Sequence, residues 1–350
     1  MKTNRPETKD IIELLSLSKP GEIDALYKRA YEIKKQQVGT TVFFRGIVEL
    51  SNICTKNCYY CGIRKDNHNV ERFLLTRDEV VKSALWAYEQ HYGSVVIQSG
   101  ERDDEEFVLF IEDVIKTLKE KSDSRLGITL SLGEQTEETY QRWYDAGAHR
   151  YLLRIESSNP ELYAKLHPSD HNWQHRLDCI RTLKKLGFQT GTGVMIGLPY
   201  QTMEDLARDI QFFYDEDIDM IGMGPYIPHE DTPLAKAAVN YKSDEQLELA
   251  LKMIATCRIL LQDINIASTT ALQALKPDGR EMGLLAGANI IMPNITDSKY
   301  RANYQLYNGK PCLDENASLC RNCLERRISS IGETIGYDQW GDSPHFNKTQ

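Results

Sequence analysis

The chain has 350 residues, with 51 acidic against 42 basic side chains and a net charge of −9, so it can bury a sizeable core and carries no cationic excess. No block of lysine and arginine occurs, which argues against a dedicated nucleic-acid surface. The N-terminus MKTNRPETKD lacks an apolar leader core, and no apolar run approaches the roughly 18 residues of a membrane helix; a cytoplasmic protein with no membrane partner is expected. Eight cysteines in a chain this long do not make a small secreted scaffold, and clustered thiols point to metal rather than to disulfides.

The first forty residues read as helical, with Ile11, Ile12, Leu14 and Leu15, a break at Pro20-Gly21, then Ile23, Leu26, Tyr27, Ala30 and Ile33 at helical spacing. They are expected to form a helical cap, residues 1–40, on the end of the main domain. After Gly39 short β-branched or apolar runs alternate with longer amphipathic ones. The strands expected are Val42–Leu50, Ser94–Ser99, Leu126–Leu132, His149–Ile155, Thr190–Ile196, Met220–Tyr226, Asn265–Thr269 and Ala288–Met292. Capping boxes are read at Thr76–Glu79 and Ser243–Gln246, with near variants at Thr202–Asp205 and Asp278–Glu281.

Eight strands alternating with helices over about 250 residues predict an α/β fold, a complete (β/α)8 TIM barrel over residues 41–305, with an open doubly wound sheet as the structural alternative. Residues 306–350 form a polar C-terminal extension, with Tyr337 and Trp340 expected to dock it on the barrel. A barrel places its chemistry where strands end.

The loop after the first strand reads Cys54-Thr55-Lys56-Asn57-Cys58-Tyr59-Tyr60-Cys61. Structural zinc usually takes four ligands in paired elements, whereas a 4Fe-4S cluster held by three thiolates keeps one iron open. This Cys-x3-Cys-x2-Cys spacing closely resembles that of the radical S-adenosylmethionine (SAM) superfamily. The resemblance implies that the open iron binds SAM and that one electron cleaves the sulfonium to a 5'-deoxyadenosyl radical. Strand two ends in Gln98-Ser99-Gly100-Glu101, which resembles the turn that holds the methionine ammonium in that superfamily. Glu156, at the end of strand four, suits a ribose diol, and Arg176 in the following helix suits a carboxylate. Arg154 is expected to face the barrel interior, where a charge needs a partner or a ligand. Arg45 and Glu49 on strand one, Thr129 on strand three and Ser268-Thr269-Thr270 at the end of strand seven would add a cationic, hydroxyl-lined chamber, with Tyr304 and Tyr307 as its roof.

The segments Tyr59–Asn67, Leu130–Glu134, Tyr151–Arg154, Gly224–His229 and Met292–Asn294, and the order of elements over essentially the whole chain, resemble the HydE-type maturases of FeFe-hydrogenase. By that resemblance Tyr60, Gln98, Ser99, Glu156, Arg176, Met195 and Ile227 surround SAM, while Arg45, Thr129, Arg154, Thr269, Thr270, Tyr304 and Tyr307 line the substrate chamber. The implied substrate is a cysteine-ligated iron complex bearing carbon monoxide and cyanide, supplied by a HydG-type maturase. The implied chemistry is attack of the radical on the cysteine sulfur, loss of the cysteine-derived fragment, and delivery of an altered iron species towards the hydrogenase H-cluster. HydG- and HydF-type maturases and an electron donor are the implied partners. One departure is Ile155, where relatives carry histidine.

Cys312-x7-Cys320-x2-Cys323 in the extension resembles the accessory iron-sulfur motif of some family members, with zinc as the competing reading; it is taken as non-catalytic. Cys179 and Cys257 fall on apolar helix rows and are read as core. His229, after strand six, is given no proton-transfer role. Three rival readings share these features: a biotin-synthase-like sulfur inserter, disfavoured because no expected strand carries a cysteine; a methylornithine-synthase-like mutase; and a non-enzymatic iron-sulfur scaffold.

Overall fold

A computed structural model describes residues 5–237, 242–314 and 317–349. Its strands are β1 (Thr41–Ser51), β2 (Ser94–Ser99), β3 (Gly127–Ser131), β4 (Arg150–Leu152), β5 (Gln189–Thr192), β6 (Met195–Ile196), β7 (Met220–Ile221), β8 (Gly224–Pro225), β9 (Asn265–Ser268), β10 (Ile290–Ile291) and β11 (Thr334–Ile335). The helices are α1 (Thr8–Leu15), α2 (Pro20–Gln37), α3 (Arg77–Glu89), α4 (Glu105–Lys121), α5 (Glu137–Asp145), α6 (Pro160–Leu166), α7 (Trp173–Lys185), α8 (Met203–Asp215), α9 (Ser243–Leu261), α10 (Thr270–Leu275), α11 (Gly279–Leu285), α12 (Ser298–Arg301), α13 (Ala317–Ser330) and α14 (Pro344–Thr349).

Strand β1 alternates as a barrel strand must. Val42, Phe44, Val48 and Leu50 point into the apolar layer beneath the helices, while Arg45 and Glu49 lie between them on the other face, also buried. It pairs in parallel with β2 on one side and β10 on the other, and β2, β3, β4, β5, β7, β9 and β10 follow in parallel order, so the sheet closes into an eight-stranded barrel. Two of the expected strands are broken. The run from Thr190 splits into β5 and β6, and the run from Met220 into β7 and β8, because the backbone at Gly193 passes Gly222 so closely that a Cβ would sit 2.1 Å from its carbonyl oxygen. Beyond the break β6 pairs with β8 alone.

The helix starts follow the local chemistry at two of the four expected boxes. The Thr76 and Thr202 hydroxyls accept from the amides of Glu79 and Asp205, whose carboxylates accept in return from the threonine amides. Ser243 is instead the first helical residue of α9, and Glu245 accepts from the Lys242 amide at 3.0 Å; the N-cap is Lys242, whose ammonium cannot accept in return, so only half of the box forms. Asp278 makes no side-chain cap to α11, since its backbone (φ −97°, ψ 14°) is not the extended conformation that lets a cap fold back.

The N-terminal helices do not cover the barrel's end. Helix α1 packs on α8 and α9, and α2 runs along α9 with Leu26 and Ala30 against Ala255 and Ile259. The end where the strands begin is closed by the C-terminal tail. Arg45, Arg150, Gln189 and Asn265 sit near the strand starts as buried polar groups needing partners. Gly341 O accepts from Arg45 Nη2 (3.0 Å) and Asn265 Nδ2 (2.8 Å). Asp342 Oδ1 accepts from Arg150 Nη1 (2.6 Å) and Gln189 Nε2 (3.1 Å), with His149 Nε2 at 3.3 Å. Trp340 anchors the plug: its Nε1 donates to Arg125 O and its ring tilts over His149 with centroids 4.4 Å apart. Among the described residues no helix is long and apolar enough to cross a membrane.

Candidate active site

The cysteine loop leaves β1 and folds over the end of the barrel, held by protein hydrogen bonds. Arg72 Nη1 donates to Asn52 O and Ile63 O, and its Nη2 to Arg64 O (2.6 Å) and Asn67 O (2.9 Å), so one guanidinium collects the loop's carbonyls. Asn52 Nδ2 bridges Glu71 O and Asn303 O, both at 2.7 Å. Gly100 is required where β2 meets this loop, since a Cβ there would lie 2.3 Å from Ile53 O and 2.8 Å from Cys54 Cβ. The next amide, Glu101 N, donates to Cys54 Sγ at 3.3 Å. Burial pushes the Cys58 thiol up to about 12 and raises Cys54 and Cys61 as well, so ligation of these sulfurs must release protons. Among the described residues no three histidine, cysteine or acidic side chains converge on one ion. A cuboidal cluster asks for something else, one thiolate at each of three separate irons.

Beside the thiols lies an ion network that sequence reading only half identified. Arg176 Nε donates to Glu134 Oε1 (2.7 Å), its Nη1 to Arg154 O (3.0 Å), and its Nη2 stands 3.7 Å from Glu101 Oε2. Lys56, from within the cysteine loop, reaches Glu134 Oε2 at 2.8 Å and Glu101 Oε1 at 3.2 Å. Burial works against the charge of Glu134, but Arg176 and Lys56 outweigh it and hold its carboxyl below the ordinary range. In Glu101 burial prevails, with Glu134 adding to it, and the carboxyl is raised. Lys56 and Glu134 thus brace the two expected SAM contacts. Their one signal in the sequence was position, Lys56 between the first two cysteines and Glu134 just past the third strand.

Glu156 stands at φ +65°, a conformation rare for a residue with a side chain, and bridges to Val194 beyond the β5 break. Its carboxylate is 2.9 Å from Arg154 Nη2, yet Glu156 Oε2 and Arg154 Nε and Nη2 are buried without a well-directed hydrogen bond. Burial raises the Glu156 carboxyl against the pull of Arg154 and Arg176. Ile155, between them, points the other way, into the main apolar core.

An apolar box lies apart from that core. Met195, Leu198 and Tyr226 pack with Leu162, Leu166 and Leu234, and Tyr59 and Tyr60 lean against them; Ile227 follows, half-buried. His167 presents Nδ1 to Tyr163 O (2.9 Å), so that nitrogen carries the proton and the Tyr60 hydroxyl donates to Nε2 at 3.1 Å. Burial drops His167 to about 3, which keeps the ring neutral.

The interior residues separate by depth. Arg45 and Thr129 belong to the lower barrel: Arg45 is capped by Gly341, and the Thr129 hydroxyl accepts from Arg150 Nε (2.9 Å). Above them the cavity wall is largely apolar, with Val96, Leu152, Met220, Ala267 and Met292. Polarity returns at the strand ends, with Arg154, the buried unpartnered Thr269 hydroxyl and Glu49, which Lys310 and Asn294 engage. Tyr304 is buried, near Gln98, with Lys310 5.1 Å from its ring centroid; Tyr307 is half-buried beyond it. Ser99 Oγ donates to Gly100 O, and Thr270 opens α10 half-buried.

In the second cysteine group Cys320 is buried against Leu324 and Ile328, Cys323 lies on the same helix, α13, and Cys312 precedes it at φ +63°. Residues 315–316 between them lie outside the described residues. Cys179 and Cys257 are buried in the core. His229 abuts Gly62, where a Cβ would lie 2.5 Å from its Cδ2.

A closed eight-stranded parallel barrel, with three thiols after its first strand and polar groups gathered at the ends of the second and fourth, is the architecture of radical SAM enzymes. The sequence profile of the Radical SAM superfamily matches residues 48–213, and the chain belongs to this superfamily, whose enzymes use a 4Fe-4S cluster and SAM. Within it the chain belongs to the HydE family: it is 46% identical over 338 residues to the FeFe hydrogenase maturase subunit HydE of Thermotoga maritima, covering 96% of this chain and 94% of that protein. Two solved structures share the fold. Methylornithine synthase superposes with a TM-score of 0.79 at 23% identity, covering 95% of this chain and 94% of that one. The FeFe-hydrogenase maturase HydG from Carboxydothermus hydrogenoformans also gives 0.79, at 21% identity, covering 98% of this chain and 78% of that one.

Proposed function

We propose that this enzyme cleaves SAM and directs the radical onto a cysteine-ligated iron carbonyl cyanide complex in the barrel interior, as a step in assembling the FeFe-hydrogenase H-cluster. The observation that carries the reading is the Glu156–Arg154 ion pair at the end of β4, beside the cysteine loop, whose facing atoms lie 2.9 Å apart without a well-directed hydrogen bond among the described residues. Polar atoms so poorly satisfied at that depth are costly unless a ligand completes them. The donor set fits the superfamily's cofactors: three thiols on one braced loop for a 4Fe-4S cluster, and the buried Glu156 carboxylate beside an apolar box for SAM. When bound, that pair supplies one-electron cleavage of the sulfonium and the 5'-deoxyadenosyl radical.

The chain's residues bind and orient. Glu101 and the Gln98–Gly100 turn take the methionine ammonium, Arg176, braced by Glu134, takes the carboxylate, and Glu156 takes the ribose. Tyr60, Met195 and Ile227 enclose adenine. Arg154, Thr269 and Thr270 hold substrate near the radical, Arg45 and Thr129 floor the chamber, and Tyr304 and Tyr307 keep water out from above. Cys312, Cys320 and Cys323 hold a second, non-catalytic iron-sulfur cluster within the extension of residues 306–350. The barrel comprises residues 41–305 behind the helices of residues 1–40, and the protein works in the cytoplasm beside HydG- and HydF-type maturases and an electron donor.

The test is anaerobic. Cluster-loaded protein with SAM and dithionite should yield 5'-deoxyadenosine and methionine, and no cleavage would leave a scaffold. Addition to apo-hydrogenase with the partner maturases should restore hydrogenase activity. Radical formation without activation would sink the maturase assignment and favour the mutase.

A further inference from the structure

Of the buried cations outside these roles, Arg280 is the one with both Nε and Nη1 unbonded among the described residues. Helix α11 returns beneath the end of β9, where Ser268 Oγ donates to Arg280 O at 2.8 Å. Gly283 permits this approach, since a Cβ there would be 2.3 Å from Ser268 Oγ. The helix thereby sets Arg280 beside the chamber at 3% exposure. Its Nε and Nη1 are buried with no hydrogen-bond partner among the described residues, and Nη2 lies 4.0 Å from Cys312 Sγ, a long, soft contact for a guanidinium.

The carboxylates nearby are engaged elsewhere. Glu281 is held by both Nε and Nη2 of Arg327, and Glu49 by Lys310 and Asn294. Arg280 shares its surroundings with the chamber roof: the Tyr307 hydroxyl feels the charges of Arg280 and Glu49, and Tyr304 feels that of Glu49, whose partner Lys310 lies 5.1 Å from the Tyr304 ring centroid. Apart from the Cys312 sulfur, Arg280 meets no counter-ion among the described residues, and a buried guanidinium so placed is strongly disfavoured. Either of its two N–H edges, Nε with Nη2 or Nη1 with Nη2, can take a carboxylate bidentately once Nη2 turns from the sulfur.

We propose that Arg280, with the unpartnered Thr269 hydroxyl and Tyr307, forms a subsite for the carboxylate of an amino-acid moiety of the substrate. This rests on the reading of the barrel interior as the substrate chamber. It sets the reacting sulfur of such a ligand on the cluster side of its carboxylate, a specificity that the other chamber residues do not supply. No bond is made or broken at Arg280.

The probes are S-methyl-L-cysteine and 2-(methylthio)ethylamine, which is the same thioether without its carboxylate. Binding to anaerobic cluster-loaded protein is measured by calorimetry for wild type, Arg280→Gln and Arg280→Lys. Wild type should prefer the carboxylate-bearing probe; Arg280→Gln should weaken it at least tenfold without changing the other, and Arg280→Lys should recover part of the loss. Iron per chain and SAM affinity should match wild type in both variants, which separates a subsite from a folding defect. Equal affinity in wild type and Arg280→Gln, or no binding by wild type, overturns the proposal. So does loss of iron from the second cysteine group with probe affinity unchanged, which would make Arg280 a partner of Cys312 instead. Measuring 5'-deoxyadenosine in the same wild-type preparation keeps the two questions apart. An Arg280-dependent carboxylate preference without SAM cleavage leaves the subsite standing and removes the radical reading, while cleavage without the preference does the reverse.

Discussion

Replacing Asp342 by asparagine tests whether the C-terminal tail closes the barrel. Arg150 is fully buried, and its one ion-pair partner among the described residues is Asp342, at 2.6 Å. Removing one partner of a buried pair costs about 3–5 kcal/mol, because the other charge stays stranded. Asp342 is 27% exposed, and Arg150 keeps Thr129 Oγ1 and Trp340 O, so a lower figure of about 2 kcal/mol is expected. Urea unfolding of cluster-loaded protein, followed by tryptophan emission, reads both the midpoint and the environment of Trp340. A double variant, Asp342→Asn with Arg150→Met, should regain much of the loss. The pH dependence is also specified. Burial opposes the Asp342 charge, but His149 and Arg150 outweigh it and depress the carboxyl well below its usual range. A depressed carboxyl stabilises fully above its unfolded value, near pH 4, and loses that contribution as pH falls through the folded one. The gap between wild type and Asp342→Asn should therefore be complete at pH 7 and narrow below pH 4. A midpoint shift worth less than about 0.5 kcal/mol, with unaltered emission, would refute the plug.

Four further outcomes are expected. Gly100→Ala should lower iron per chain after anaerobic reconstitution, since the new methyl meets Ile53 O and Cys54 Cβ; iron content equal to wild type would show that the loop can move aside. Glu134→Gln should weaken SAM binding by roughly tenfold, the worth of a charge-assisted hydrogen bond of about 1.5 kcal/mol, with cluster content unchanged by iron assay. The Cys312→Ala, Cys320→Ala double variant should keep SAM cleavage, and a loss equal to that of Cys58→Ala would disprove the non-catalytic role. Burial raises Asp209 to about 7, with Oδ1 accepting from Ser158 N and Oδ2 unpartnered. A raised carboxyl destabilises only once the fold must hold it charged, so Asp209→Asn should raise Tm relative to wild type at pH 8, with the gain vanishing near pH 4.

What the sequence revealed was what neighbouring residues decide. The cysteine spacing, the alternation that put Arg45 and Glu49 on one face of β1, and the boxes at Thr76 and Thr202 depend on residues a few positions apart, and all are readable without a fold. Partners brought together from afar were not. Periodicity shows that Arg45 faces inward but not that Gly341 caps it, and nothing near Lys56 names Glu134 as its partner. The sequence offered Tyr337 and Trp340 as anchors of the tail but not its closing contacts, which are made by carbonyls and one aspartate that the strand starts require. The breaks in the fifth and sixth strands come from a contact between two glycines on different strands, a property of the pair. At Ile155 alternation was the useful guide: the side chain opposite in sense to Arg154 and Glu156 belongs to the core.

Arg72, reaching from beyond the loop to the carbonyls of Asn52, Ile63, Arg64 and Asn67, makes the shape of the cysteine loop a property of the polypeptide. These carbonyls are held by protein donors and not by the sulfurs, so exchanging the metal centre would break none of the hydrogen bonds that shape its seat.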